Sequence, residues 1–197
     1  MQRKELLQEL LTITGRASLM VKTFRQLTNE QLNYKSSPET WSILECIEHL
    51  NLYGNFYLPE IEKQMLNRER SMRTENFKPG FIGNYFANLM QVKDGTVKKK
   101  MKSPKDKNPV NSALTTTTID RFLKQQDRLE QLLTDARYVD LTNIKTAISL
   151  TPYIRLRLGD TFRFFVYHIE RHVLQANKVL TQRQGELDRE MDRLFAA

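Results

Sequence analysis

An all-α fold, a four-helix up-and-down bundle with long connections and a short C-terminal helix, is what this sequence predicts. Three observations lead there. Apolar residues recur at helical spacing through four long segments. Only seven glycines and six prolines are spread over 197 residues, which favours long helices over many short strands. Capping signals stand where several of those segments begin. The length suits a single domain, residues 1–197, with ample chain to bury a core.

The first helix is expected over residues 2–27, where Leu6, Leu7, Leu10, Leu11, Thr14, Ala17, Leu19, Met20 and Phe24 recur with charges between them. A polar connection, 28–40, contains Pro38. Ser42 and Glu45 then form a Ser-x-x-Glu capping box, which satisfies free amides at a helix start. The second helix should run over 43–69, with a kink or break near Leu58 because Pro59 lies inside it. Around Pro79-Gly80 the chain turns, and 82–90 suits a short helix. Residues 93–109, with seven lysines against two aspartates and two prolines, read as an exposed lysine-rich loop. Thr115 to Thr118 offer N-caps for a third helix, 118–136, whose core face is Ile119, Phe122, Leu129, Leu132, Leu133 and Ala136. An irregular stretch follows through Pro152. Asp160 is the expected N-cap of a fourth helix, 161–183, and Gly185 separates it from an amphipathic tail, 186–195. Phe162, Phe164, Phe165 and Tyr167 mark its first half for deep burial.

Composition narrows the function classes. A hydrophobic content of 40% with 27% charged residues fits a soluble globular protein rather than a disordered one. No apolar run approaches the roughly 20 residues of a membrane span. The amphipathic N-terminus carries acids and lacks the apolar core of a secretory signal. A lone cysteine, Cys46, excludes an intrachain disulfide and suits a reducing compartment, so a cytoplasmic location is expected. The net charge of +8 and pI near 9.6 serve solubility first. A nucleic-acid contact through residues 93–107 is the lesser alternative, because no aromatic alternates with the lysines to stack on bases.

The three histidines carry the functional signal. His168 and His172 are four apart in a helical segment and therefore share a face. His49 lies in another helical segment. Two imidazoles so placed can grip one divalent metal, and a third from a facing helix completes a three-histidine site. Ile169 follows His168, so the His-Glu-x-x-His pattern of helical metalloproteases is absent. Tyr53 and Glu45, one turn either side of His49, are candidates to orient a ligand or move a proton. Glu45 is already explained by its cap. Gln175, three beyond His172, is either a hydrogen-bond partner for it or simply the polar flank of the helix. Cys46 reaches the metal only if its face turns inward, and is otherwise an apolar filler. Trp41 and the Phe162, Phe164 and Phe165 set read as core before substrate cradle.

The stretch from Ser37-Pro38-Glu39-Thr40-Trp41-Ser42 to Glu48-His49-Leu50 resembles the signature of the DinB/YfiT-like metalloenzymes, in which a tryptophan and a small N-cap residue precede a ligand-bearing helix. Leu158-Gly159-Asp160 followed by His168-Ile169-Glu170-Arg171-His172-Val173-Leu174-Gln175 is similar to the family's second signature. The resemblance extends over nearly the whole chain in length and helix order, and the lysine-rich insertion, which departs from it, is a candidate to cover the site mouth or to form a subunit contact. It implies that His49, His168 and His172 bind one divalent metal (zinc, nickel or iron) in a four-helix bundle. It further implies a metal-dependent hydrolase or a thiol S-transferase acting on a small-molecule substrate, possible partners including low-molecular-weight thiols, and a homodimer. The alternative is a non-catalytic metal-binding or scaffold bundle. Neither a nucleic-acid nor a membrane partner is expected.

Overall fold

The computed structural model describes residues 1–66, 75–92, 102–110 and 112–195. Its elements are α1 (Arg3–Phe24), α2 (Asn29–Asn33), α3 (Ile43–Leu66), α4 (Phe81–Met90), α5 (Thr117–Asp135), β1 (Lys145–Ile148), β2 (Thr151–Arg157) and α6 (Leu158–Phe195), with single 3-10 turns at Lys105–Lys107 and Ala136–Tyr138. α1, α3, α5 and α6 form the bundle. α1 and α3 each pack on both α5 and α6, so α1 faces α3 across the core. α4 is an outer helix laid on α6.

Helix directions refine the bundle expected from the sequence. α1 and α5 are antiparallel: Arg25 pairs with Asp120, while Leu7 and Leu133 share the lining of one cavity. α3 and α6 are also antiparallel, with His49 beside His168 and Tyr57 beside Phe164. α3 and α5 run parallel instead, for Glu48 pairs with Arg121 and Glu62 with Arg128. A short loop could not join parallel neighbours. The long connection from 67 to 116, which carries α4, removes that restriction.

The buried faces follow the apolar periodicity. In α1 the core is Leu6, Leu7, Leu10, Ile13, Ala17, Val21 and Phe24. Leu19, expected inside, is 65% exposed, because the inward stripe passes through Val21 instead. All six residues expected for the core face around α5 are buried, as are Phe162, Phe164, Phe165 and Tyr167 of α6. The connection after α1 is more ordered than expected. Thr28 and Gln31 form a second capping box, and α2 follows it.

Pro59 does not break α3, which runs continuously to Leu66. Proline deprives the carbonyl four residues back of its partner, but Asn55 and Pro59 are both exposed, so water can serve that carbonyl. Gly185 likewise does not end α6, and the separate C-terminal helix expected from it is instead the end of one 38-residue helix. The cost of one helical glycine, about 1 kcal/mol, is offset locally. Arg183 pairs with Glu30, Tyr34 donates to Glu186, and Gln184 bonds Asp188 one turn on.

The stretch read as irregular is a two-stranded antiparallel hairpin, with Thr146 opposite Leu156 and a register irregularity between Ala147 and Ile148. Ile144, Thr146 and Ile148 alternate inward with exposures of 4%, 0% and 5%, a period-two signal too short to outweigh the neighbouring helices. This hairpin also changes the role of Asp160. The free amides at the start of α6 are taken by the hairpin's approach, Leu158 N–H by the Ile144 carbonyl and Gly159 N–H by that of Leu141. Asp160 therefore does not cap its own helix. Its fully buried carboxylate accepts from Gly80 N–H at 2.7 Å, at the start of α4, and from Arg163 at 3.3 Å. Gly83 allows this approach, since a Cβ there would stand 2.5 Å from the Asp160 side chain.

Residues 93–101 of the lysine-rich segment lie outside the described residues. In the described part Lys102, Lys105, Asp106 and Asn108 are exposed, but the segment is anchored. Its 3-10 turn packs against α3, Pro109 is buried, and the Lys107 side chain is only 15% exposed. Among the described residues no helix is long and apolar enough to cross a membrane.

Replacing Asp160 with Ala removes the carboxylate partner of the Arg163 guanidinium, which keeps Asn84 and Asn88, and frees the start of α4. The expected cost is about 3 kcal/mol, the range for breaking a buried ion pair, read as a lower urea midpoint. An unchanged midpoint would show that the carboxylate does not hold α4 on α6.

Candidate metal centre

Two local devices and one tertiary seam build the site. The Ser42–Glu45 box forms as expected: Ser42 N–H donates to Glu45 at 2.9 Å, and Glu45 N–H donates to the Ser42 hydroxyl at 3.1 Å. It fixes where α3 starts, and His49 follows two turns on. His168 and His172 share a face of α6. The antiparallel contact of α3 and α6, packed by Tyr57 against Phe164 and Phe165, brings the two faces together.

The three histidines converge as the sequence predicted. One ligand-type nitrogen from each lies within 4.8 Å of the other two. His49 Nε2 and His168 Nε2 are 3.2 Å apart. His49 is 2% exposed, His168 is 4% exposed and His172 is half-buried.

The outer nitrogens decide the tautomers. His49 Nδ1 lies 2.6 Å from the Lys107 carbonyl, which can only accept, so Nδ1 carries the proton. His172 Nδ1 lies 3.0 Å from Gln175 Oε1 and is protonated for the same reason. Both rings therefore keep an unprotonated Nε2. This is the usual arrangement of metal-ligating histidine, whose remote N–H is held by an oxygen acceptor. His168 differs, because its Nδ1 is buried without a partner.

Aromatic rings close around the imidazoles. Trp41 stands 4.8 Å from His49 and 5.7 Å from His172, centroid to centroid. Tyr53 is 4.4 Å from His168 and 4.9 Å from His49, and Phe164 stacks on His168 at 5.8 Å. Such walls penalise charge. Burial pushes the His49 pKa down to about 4, and those of His168 and His172 also fall well below the ordinary value. Desolvation is the leading cause for all three; at His49 the Lys107 carbonyl opposes it and the Lys107 charge adds to it, while neighbouring imidazoles and then Arg171 reinforce it at the other two. The imidazoles are held neutral, the form that binds metal.

The remaining candidates separate cleanly. Tyr53 and Gln175 reach the site. Glu45 does not, being engaged by its cap and by Lys35 at 2.7 Å. Cys46 is fully buried outside the histidine cluster, its thiol kept protonated by burial. Trp41 and Phe164, read first as core, border the imidazoles directly. Part of the lysine-rich insertion reaches the site as a Ser103 to Lys107 strap, but the sequence reading missed the Lys107 carbonyl, which also accepts from the Ser103 hydroxyl at 3.2 Å. A backbone acceptor has no residue signature; only the flanking Pro104 and Pro109 hinted at a shaped segment.

Fold and site together define a helical-bundle protein in which two facing helices present three neutral imidazoles to one point. The chain belongs to the DinB superfamily, which matches residues 13–176. No curated protein and no solved structure matches it.

The depressed pKa values set a pH dependence. Unfolding returns each histidine to its ordinary value of about 6.5, so below that pH the unfolded chain binds more protons. Stability is then complete above about pH 6.5 and falls as the pH drops toward 4, by up to about 1.4 kcal/mol per pH unit for each histidine. Urea unfolding in chelator at pH 7.5 and pH 5.5 checks this. Equal stabilities at the two values would contradict neutral burial.

Proposed function

We propose that this DinB-superfamily protein binds one divalent metal through His49, His168 and His172 and acts as a metal-dependent hydrolase or thiol S-transferase on a small molecule. The observation that carries the reading is the facing pair at His49 and His168. The Lys107 carbonyl leaves His49 Nε2 with a lone pair aimed at His168 Nε2. Two buried lone pairs so close repel unless a proton or a cation lies between them. The cluster suits the cation, because His172 adds a third Nε2 whose outer nitrogen is also tied.

Three imidazoles favour zinc, nickel or iron over magnesium or calcium. Three protein ligands leave a coordination position for water or substrate, which is the pattern of catalytic sites. A divalent ion there supplies Lewis acidity, lowering the pKa of a water or thiol toward neutrality. The protein's part is orientation and exclusion of water. Lys107 and Gln175 fix two of the rings, while Trp41, Tyr53 and Phe164 keep the surroundings apolar. Half-buried His172 marks the side from which a small molecule can enter. The reading includes a cytoplasmic location and a homodimer.

A non-catalytic metal-binding bundle is the second reading. It is favoured by the aromatic packing on His49 and His168 and by their hydrogen-bond partners, which among the described residues are neutral and include no carboxylate. Turnover by metal-loaded protein in hydrolase and thiol-transfer assays separates the two readings.

Purified chain should take up about one zinc or nickel ion, measured by elemental analysis after dialysis. At a hundredfold excess of metal over Kd the gain in stability is about 2.7 kcal/mol. His49→Ala and His172→Ala should each abolish both effects. Protein that gains neither metal nor stability overturns the proposal.

A further inference from the structure

Building on the metal-site reading, we propose that Lys107 is a specificity-determining residue, which draws a small organic anion to the histidine centre. The argument begins with charge. Among the described residues every hydrogen-bond partner of the three imidazoles is neutral: the Lys107 carbonyl, the Ser103 hydroxyl, the Gln175 amide and another imidazole. Apart from Asp106, whose charge reaches Tyr53 and which pairs with Lys107, three nearby acids are engaged elsewhere. Glu45 pairs with Lys35, Glu48 with Arg121 and Glu170 with Arg16. A divalent ion on three neutral ligands keeps its whole charge in an apolar enclosure, where an anion is the favoured additional ligand.

Two cations add to that preference. Arg171 sits next to His172 on α6, is 7% exposed and donates to the Leu89 carbonyl, so it is fixed in place. Lys107 is different in kind. Its carbonyl holds His49 at 2.6 Å, and its side chain is only 15% exposed, with its charge felt at His49. Its ammonium pairs with Asp106 at 3.0 Å, but that carboxylate is 66% exposed. A contact with so exposed a partner is worth little. An incoming anion can therefore take Asp106's place at the ammonium while Asp106 turns to solvent. Trp41 and Tyr53 offer apolar surface to the body of the same ligand. The strap thus does two things at one residue: its backbone orients a ring, and its side chain selects the sign of the ligand.

The test uses the full chain loaded with Co²⁺, whose visible absorption bands report the ligand field. Azide serves as the anionic probe and imidazole as the neutral one. Azide should shift the bands saturably. Lys107→Gln should weaken azide binding about fivefold and leave imidazole binding unchanged. Lys107→Arg should restore the azide affinity, and Asp106→Asn should tighten it. Equal azide affinity in the wild type and Lys107→Gln overturns the role of Lys107 alone. A parallel loss of azide and imidazole affinity overturns it too, because it reveals a purely structural strap. Absence of cobalt bands in the wild type removes the metal-site reading itself, and this proposal with it.

Discussion

The antiparallel seam between α3 and α6 is the constraint on which the rest depends. Along it Tyr57 packs on Phe164 and Phe165, and one turn further Tyr53 packs on His168. Because a helix repeats its face every three or four residues, this packing leaves His49 no choice but to meet the His168 and His172 face. A slip of one turn along the seam would move the imidazole by about 5.4 Å, more than the whole spread of the cluster. The apolar contacts therefore set the site's geometry as well as the core's.

Burying three imidazoles costs the fold free energy whenever they charge, and the structure limits that cost by keeping them neutral. Two of the three outer nitrogens have acceptors, one from the strap and one from the next turn of α6. The third, on His168, is left without one. An unpaired buried polar atom costs about 1–3 kcal/mol, a strain of the kind that concentrates at functional sites. The ordered strap is part of the same arrangement, since it both covers His49 and provides its acceptor.

Local chemistry was the most legible part of the sequence. The Ser42–Glu45 box, the His168/His172 pair and the Gln175 contact all arise within one helical turn, where spacing alone predicts the meeting. The inward aromatic half of α6 and the core face of α5 were legible for the same reason. What the sequence concealed depends on backbone groups from distant segments. The carbonyls of Leu141 and Ile144, just before the hairpin, take the first amides of α6, so Asp160 serves α4 instead of its own helix. The Lys107 carbonyl reaches His49 across 58 positions of chain. Neither has a side-chain signature. Continuity at Pro59 and Gly185 was missed for a different reason: exposure and tertiary ties outweighed the local penalty.

The uninterrupted course of α6 has a mechanical consequence. His168 and His172 are fixed to one rod, so their mutual spacing is almost invariant, while His49 rides on another. The site is left with a single soft coordinate, the separation of the two rods, and behaves as a caliper. Its jaws are set by the thickness of the aromatic layer between the helices, so they open only by prying that layer apart. The spacing of the imidazole nitrogens is thereby governed by the stiffness of the hydrophobic interior.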